Sequence, residues 1–356
     1  MNDAPSRLRK IRGATRVLGA LAAAVVAVLL STHAVATAGP AATASPAAVP
    51  SAGCAASQVE AGRTMHLFRT DARSGRYIQD VPAAQGIPMP VVFDIHGYLQ
   101  PGLLQSQWSG IAGFGLRHGF VTITPDADAG LLPRWEYGRG GADIAYLSAM
   151  LTQVEQTLCV DRRRIYMTGL SMGAFTTSSV ACQLADRFAA VAPVAGIQDF
   201  PWCEPARRVP VVAFHGTGDQ FLSYTGGVGP VGELLPATDG SSRLMFQQRA
   251  ENPAADNLPS TAPIPAQTAA WAARNGCGPE PATEQVTADV TRTTYPCDPD
   301  ASVELYTVHG GGHTWPGGDP TLVPVAITGP VTHTIEANRI IWEFFRDHPH
   351  PGPIPS

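Results

Sequence analysis

Lysine is all but missing from this sequence: Lys10 stands alone among 24 basic residues. That scarcity follows from overall composition, and no function is read into it. Charge of either sign is sparse, at 15% of residues against 44% hydrophobic. So low a charge in so apolar a chain excludes wholesale disorder and points to a folded globular protein. A C-x-x-C pair is absent, which argues against a structural zinc site, and no metal or organic cofactor is expected. Internal repeats are absent too. Five basic residues and one acid fall within residues 1–36, and without that segment the formal charge moves from −5 to about −9. No basic patch then remains, so nucleic acid is not an expected partner.

What is present begins with an export signal. Arg7, Arg9, Lys10, Arg12 and Arg16 form a basic start, Val17 to Leu30 is apolar, and Ala34, Val35 and Ala36 supply a small-residue cleavage site. Residues 1–36 read as a secretory signal peptide, and the apolar run is short for the alternative, an uncleaved membrane anchor. After cleavage no stable membrane insertion is expected, and the protein is placed outside the cell. Residues 37–53, rich in Pro, Ala and Ser, read as a disordered linker. Residues 54–348 read as one catalytic domain and 349–356 as a disordered tail.

Through the middle of the chain, short β-like runs alternate with helical patterns. Strands are expected at Pro90–Ile95, Phe120–Thr124, Arg164–Thr168, Ala189–Val194, Pro210–Phe214 and Ser302–Val308, with helices at Gln107–Arg117, Ala142–Leu158, Met172–Phe188, Gln267–Arg274 and Thr334–Asp347. Such alternation implies an α/β fold, a mostly parallel central sheet with helices on both faces. Thr64–Phe68 and Arg76–Val81 read as an antiparallel edge pair. Residues 221–265 form a Gly/Pro-rich insertion, read equally as a substrate lid or as a solvent loop.

Gly169, Ser171 and Gly173 fit G-x-S-x-G, a weak pattern alone, but here one that falls between a strand and a helix. A strand that turns at once into a helix strains the serine backbone and crowds the positions two residues to either side, which favours glycine there. The turn also exposes the hydroxyl at a helix N-terminus, where the Met172 N–H is free to hold negative charge. A serine hydroxyl needs a base. His313, in a Gly-rich turn after the last strand, and Asp219, in a turn after Pro210–Phe214, supply base and acid in the chain order Ser, Asp, His. His309 is the rival base and Asp199 the rival acid; His215 reads as structural. A second oxyanion donor is expected from the Tyr98 N–H, with Gly97 allowing close approach and His96 reading as structural. Trp315, two residues beyond His313, reads as an apolar wall for the acyl group or as core packing, the wall being preferred; Trp108 and Trp135 read as packing.

At this point the sequence resembles the poly(3-hydroxybutyrate) depolymerase and feruloyl-esterase family over residues 60–348. The segments VVFDIHGYLQ, CVDRRRIYMTGLSMGAF, FAAVAPVAG, VPVVAFHGTGD, WAARNGCG, VELYTVHGGGHTWPGG and IIWEFFRDHP carry the likeness. The resemblance implies the α/β-hydrolase fold and ester hydrolysis through an acyl-enzyme, with Ser171, Asp219 and His313 as triad and Tyr98 and Met172 as oxyanion donors. Many depolymerases of that family have Cys where this chain has Tyr98. The expected partner is an ester, either a hydroxybutyrate oligomer or polyester, or a feruloyl or acetyl ester. The chain ends soon after the closing helix, which favours soluble or oligomeric esters over crystalline polyester. Two alternatives remain: acyl transfer to a cell-envelope alcohol, and a non-catalytic binding protein on a hydrolase scaffold.

Six cysteines in the exported part suggest disulfides. Cys277 with Cys297 is the easiest bridge to defend and Cys182 with Cys203 the next, which leaves Cys54 with Cys159; six cysteines admit many other pairings.

Overall fold

The computed structural model describes residues 47–352, except 56–58, 84–85, 128–132, 240 and 253–257. The signal peptide, most of the linker and residues 353–356 lie outside the described residues.

Ten strands are described: β1 Gly62–Arg69, β2 Ser74–Val81, β3 Met89–Ile95, β4 Val121–Pro125, β5 Val160–Leu170, β6 Ala190–Val194, β7 Val211–Gly216, β8 Ala282–Thr287, β9 Val290–Thr294 and β10 Val303–Val308. They form one sheet in the order β1-β2-β4-β3-β5-β6-β7-β10-β9-β8. The six central strands from β4 to β10 run parallel. The expected edge pair β1–β2 joins one side antiparallel. The hairpin β8–β9, not foreseen from sequence, closes the other side.

The helices are α1 Gly102–Ser109, α2 Ile111–His118, α3 Ala142–Thr157, α4 Met172–Gln183, α5 Met245–Glu251, α6 Ile264–Arg274, α7 Val325–Thr328 and α8 Ala337–Asp347. Side chains on a strand alternate between faces, so the central strands divide between two cores. On β3, Val91, Phe93 and Ile95 join one core with α3, α4 and α6, while Val92 joins the other with α1, α2 and α8. On β7, Val211 and Ala213 face the first core, and Val212 and Phe214 the second. Burial on both faces explains why these strands read as unbroken apolar runs. The architecture is the α/β-hydrolase fold.

Three expectations need correction. The single helix expected at Gln107–Arg117 is two helices, because Gly110 adopts a left-handed φ of 64° between them. The end of the expected linker is ordered. There Ser51 N–H donates to Val160 O (2.9 Å), Ser51 Oγ donates to Leu158 O (2.7 Å), and Val49 N–H donates to Asp161 Oδ1 (2.9 Å). The start of the expected tail is pinned as well: the buried His350 donates its N–H to Arg163 O (2.7 Å), and Arg163 Nη1 donates to His350 O (2.8 Å). Both segments add backbone hydrogen bonds alongside β5, which composition alone does not reveal. Cys54–Cys159, Cys182–Cys203 and Cys277–Cys297 are all bridged.

Candidate active site

Parallel strands gather the site at their C-terminal ends, the usual place for ligands in open α/β sheets. Tyr98 follows β3, Ser171 follows β5, Asp219 follows β7 and His313 follows β10.

Ser171 is the hinge between β5 and α4, with φ 60° and ψ −121°. Such a conformation costs a non-glycine residue roughly 1–3 kcal/mol and persists only where the surroundings impose it. Here the Ser171 N–H is tied to Val194 O at 3.0 Å. The flanking glycines are required sterically. A Cβ on Gly173 would lie 2.1 Å from Ile95 O, and one on Gly169 would lie 2.7 Å from the Gly173 carbonyl.

Met172 opens α4, and the turn holding Tyr98 passes beside the serine: a Cβ on Gly97 would come within 3.3 Å of Ser171 Cβ. Among the described residues, the Tyr98 and Met172 N–H groups have no backbone partner, and both residues line the same cavity as Ser171. His96 is structural. Its Nδ1 donates to Gly97 O (2.7 Å) and its Nε2 accepts from the Ala127 N–H (2.9 Å), which fixes one neutral tautomer. Burial drives its pKa down to about 4, against smaller opposing effects of the Gly97 carbonyl and Asp126. Trp135 donates from its indole to His96 O (2.9 Å), in keeping with a packing role.

Asp219 and His313 form a buried pair, with Nδ1 2.7 Å from Oδ2. The other carboxylate oxygen accepts from the N–H groups of Phe221 (2.8 Å) and Leu222 (2.9 Å). Gly216 lets the two loops meet, since a Cβ there would lie 2.2 Å from Gly311 O. Burial pushes the Asp219 pKa up, but His313, His215 and the Leu222 N–H together outweigh it and hold the carboxyl below its usual range. The rivals are engaged elsewhere. His309 contacts Thr291 Oγ1 (3.0 Å), and Asp199 pairs with Arg274 (2.6 Å). His215 donates to Leu222 O (2.9 Å) and its Nε2 lies 3.4 Å from Asp219 Oδ2, a bracing position behind that carboxylate.

Among the described residues, Ser171 Oγ and His313 are not hydrogen-bonded to each other. Phe221 connects their surroundings: it lines the cavity at Ser171, and its ring centroid lies 4.9 Å from that of the His313 imidazole.

That cavity holds about 30 Å³ of free volume and is lined by Tyr98, Ser171, Met172 and Phe175 together with residues of the insertion, among them Phe221, Leu222, Val228, Leu235 and Met245. The insertion is thus a wall over the serine rather than a solvent loop. Its apolar residues, spaced among glycines and prolines, were the available signal. Trp315 is not part of this wall, contrary to expectation. It is 1% exposed, belongs to the second core with α8, and donates from its indole to Asn338 Oδ1 (3.0 Å). The cavity's lining residues Met172, Phe175 and Leu222 belong instead to the first core, on the other face of the sheet. Among the described residues there is no cluster of His, Cys, Asp or Glu able to hold a metal, and no helix long and apolar enough to cross a membrane.

Comparison with known proteins agrees with the fold. No family model matches the chain. The chain is homologous to esterases. It is 31% identical over 221 residues to feruloyl esterase B of Piromyces equi, covering 58% of this chain and 37% of that protein. It is 29% identical over 148 residues to poly(3-hydroxyalkanoate) depolymerase C of Paucimonas lemoignei, covering 39% of this chain and 36% of that protein. The chain thus spans little more than a third of the length of either relative. Among solved structures, an acetyl xylan esterase from Aspergillus awamori superposes with a TM-score of 0.53 at 16% identity, over 80% of this chain and 99% of that one, a likeness of fold.

Proposed function

We propose that this protein is a secreted serine hydrolase of carboxylic esters, with Ser171 as nucleophile, His313 as base and Asp219 as acid. The observation that carries the reading is the strained Ser171 at the start of α4, set in a cavity wall with Tyr98 and Met172, whose N–H groups have no backbone partner among the described residues. Strain of this kind is retained where it aims a reacting group. The buried Asp219–His313 pair supports it by holding Nδ1 protonated and leaving Nε2 to take the serine proton.

The reaction runs in two steps. Ser171 Oγ attacks the ester carbonyl as His313 takes its proton. The oxyanion is held by the N–H groups of Tyr98 and Met172, and the imidazolium protonates the departing alcohol. Water then gives a proton to His313 as its oxygen attacks the acyl carbon; the bond from that carbon to Ser171 Oγ breaks, His313 returns the proton to Oγ, and the acid leaves. Among the described residues no charged side chain lines the cavity, and about 30 Å³ accommodates a group of one or two heavy atoms. The methyl of an acetyl group fits that space, whereas the chains of feruloyl or hydroxyalkanoyl groups exceed it. The three disulfides support export.

The test is hydrolysis of p-nitrophenyl acetate by the purified protein and by Ser171→Ala. Wild-type turnover that vanishes in the variant supports the reading. An inactive wild type, or a variant that keeps the rate, refutes it.

A further inference from the structure

Behind the turn that carries Tyr98 lies a buried chain of side-chain amides that ends on a carboxyl group. The Gly97 N–H donates to Gln100 Oε1 (3.1 Å). Gln100 Nε2 donates to Gln105 Oε1 (3.1 Å), and Gln105 Nε2 donates to Asp94 Oδ1 (2.7 Å). Ser109 Oγ donates to Asp94 Oδ2 (2.8 Å). All of these side chains are buried. The direction of the chain is forced. An amide presents oxygen on one side and nitrogen on the other, so an acceptor at Asp94 turns Gln105 and then Gln100 so that oxygen faces Gly97.

The turn needs such support. Leu99 holds a left-handed φ of 60°, which a leucine does not adopt freely. Its N–H is fixed by Pro133 O (2.8 Å). The Gly97 carbonyl is fixed by His96 Nδ1 (2.7 Å), and the trans peptide plane then sends the Tyr98 N–H to the opposite side. The Gly97 N–H sets the remaining orientation, that of the preceding peptide, and Gln100 is its partner. We propose that Gln100, oriented by Gln105 and Asp94, is a positioning residue that sets the Tyr98 N–H as an oxyanion donor; the inference rests on the esterase reading above. Gln100 touches no substrate. It acts by keeping the donor aimed at where negative charge develops rather than at the neutral carbonyl, so its loss is felt in turnover more than in binding.

The experiment compares wild type with Gln100→Met, Asp94→Leu and Asp94→Asn. Hydrolysis of p-nitrophenyl acetate is expressed per serine titrated to completion with a fluorophosphonate, and amide hydrogen exchange is followed over residues 96–100. Gln100→Met and Asp94→Leu are expected to lower kcat about tenfold or more, with KM within about twofold, since complete loss of one such donor costs about a hundred- to a thousandfold. Asp94→Asn, whose oxygen still accepts from Gln105, is expected to restore most of kcat. Exchange at residues 96–100 is expected to quicken in Gln100→Met while the rest of the chain is unchanged. Wild-type kcat per titrated serine in Gln100→Met, equal damage from Asp94→Asn and Asp94→Leu, or unaltered exchange at residue 97 overturns the inference. An inactive wild type refutes the esterase reading instead, and the exchange measurement still decides whether the relay holds the turn.

Discussion

The imidazole Nδ1 of His313 lies 2.7 Å from Oδ2 of Asp219, while Oδ1 of the same carboxylate accepts the first two N–H groups of the insertion's chain, Phe221 and Leu222. One buried carboxylate therefore orients the His313 imidazole and anchors the wall of the cavity. In Asp219→Asn the amide oxygen satisfies those two N–H groups and turns its NH₂ toward His313. The imidazole must then carry its proton on Nε2, where it is unable to accept one from serine. The expected outcome is a fall in kcat of roughly ten-thousandfold with KM nearly unchanged. Steady-state kinetics on p-nitrophenyl acetate checks it, and a fall of less than tenfold removes Asp219 from the mechanism.

The cavity wall sets acyl length. Leu235 and Met245 close it from the insertion. Leu235→Ala or Met245→Ala opens space for added methylenes, each of which is worth about 1–3 kcal/mol in a fitted pocket. The butyrate-to-acetate ratio of kcat/KM for p-nitrophenyl esters is expected to rise about tenfold in either variant. Trp315→Phe serves as the contrast. It loses the indole bond to Asn338 and some packing against α8, so its Tm falls by several degrees while the acyl ratio stays at the wild-type value. A shifted ratio in Trp315→Phe would return that residue to the site.

These contrasts mark how far the sequence was readable. The turn that carries Ser171 was legible because strain leaves a local mark: two glycines at fixed distance from Ser171, a strand before and a helix after. Asp219 and His313 were placed by strand order, which the apolar runs of β7 and β10 encode. Trp315 was misread because two residues' separation from His313 says nothing about which face of the sheet a side chain joins. The β8–β9 hairpin was missed because exposed strands such as ATEQVT carry no apolar alternation. The relay through Gln100 was invisible for another reason: its members are ordinary polar residues whose burial only the fold decides.

The Cys54–Cys159 bridge spans 105 residues and fastens the segment before β1 to the start of β5. Closing a loop of that length is worth about 4.7 kcal/mol in the chain-entropy account. The bridge sits at the opposite end of β5 from Ser171: Val160 and Gly169 pair with Met89 and Ile95 of β3, six strand steps apart, roughly 20 Å at about 3.3 Å per step. The double variant Cys54→Ala, Cys159→Ala is therefore expected to melt at a clearly lower temperature yet hydrolyse p-nitrophenyl acetate at the wild-type rate at 25 °C. Calorimetry with and without reductant, beside an activity assay, checks both halves. A drop in activity in folded protein would mean that the two ends of β5 are coupled.

His96 and Asp94 lie two residues apart on and just beyond β3, and their titrations oppose each other. Burial lowers the folded pKa of His96 from 6.5 to about 4 and raises that of Asp94 from 3.8 to about 6. For His96 the unfolded chain binds the proton first as pH falls. Its contribution to stability is thus present above pH 6.5 and is lost as pH falls toward 4. Asp94 has the reverse sign: the folded chain binds the proton first, so its contribution is present below pH 3.8 and is lost as pH rises through 6. Replacing one group at a time separates them. Relative to wild type, His96→Gln is expected to be most destabilised near pH 7 and to recover part of the difference by pH 4, because it no longer competes for the unfolded state's proton. Asp94→Asn is expected to gain on wild type between pH 4 and pH 6, since a neutral amide never bears the buried charge. Tm measured across pH 4–7 for the three proteins decides the matter, and parallel curves would show that neither group titrates in the folded chain as its burial requires.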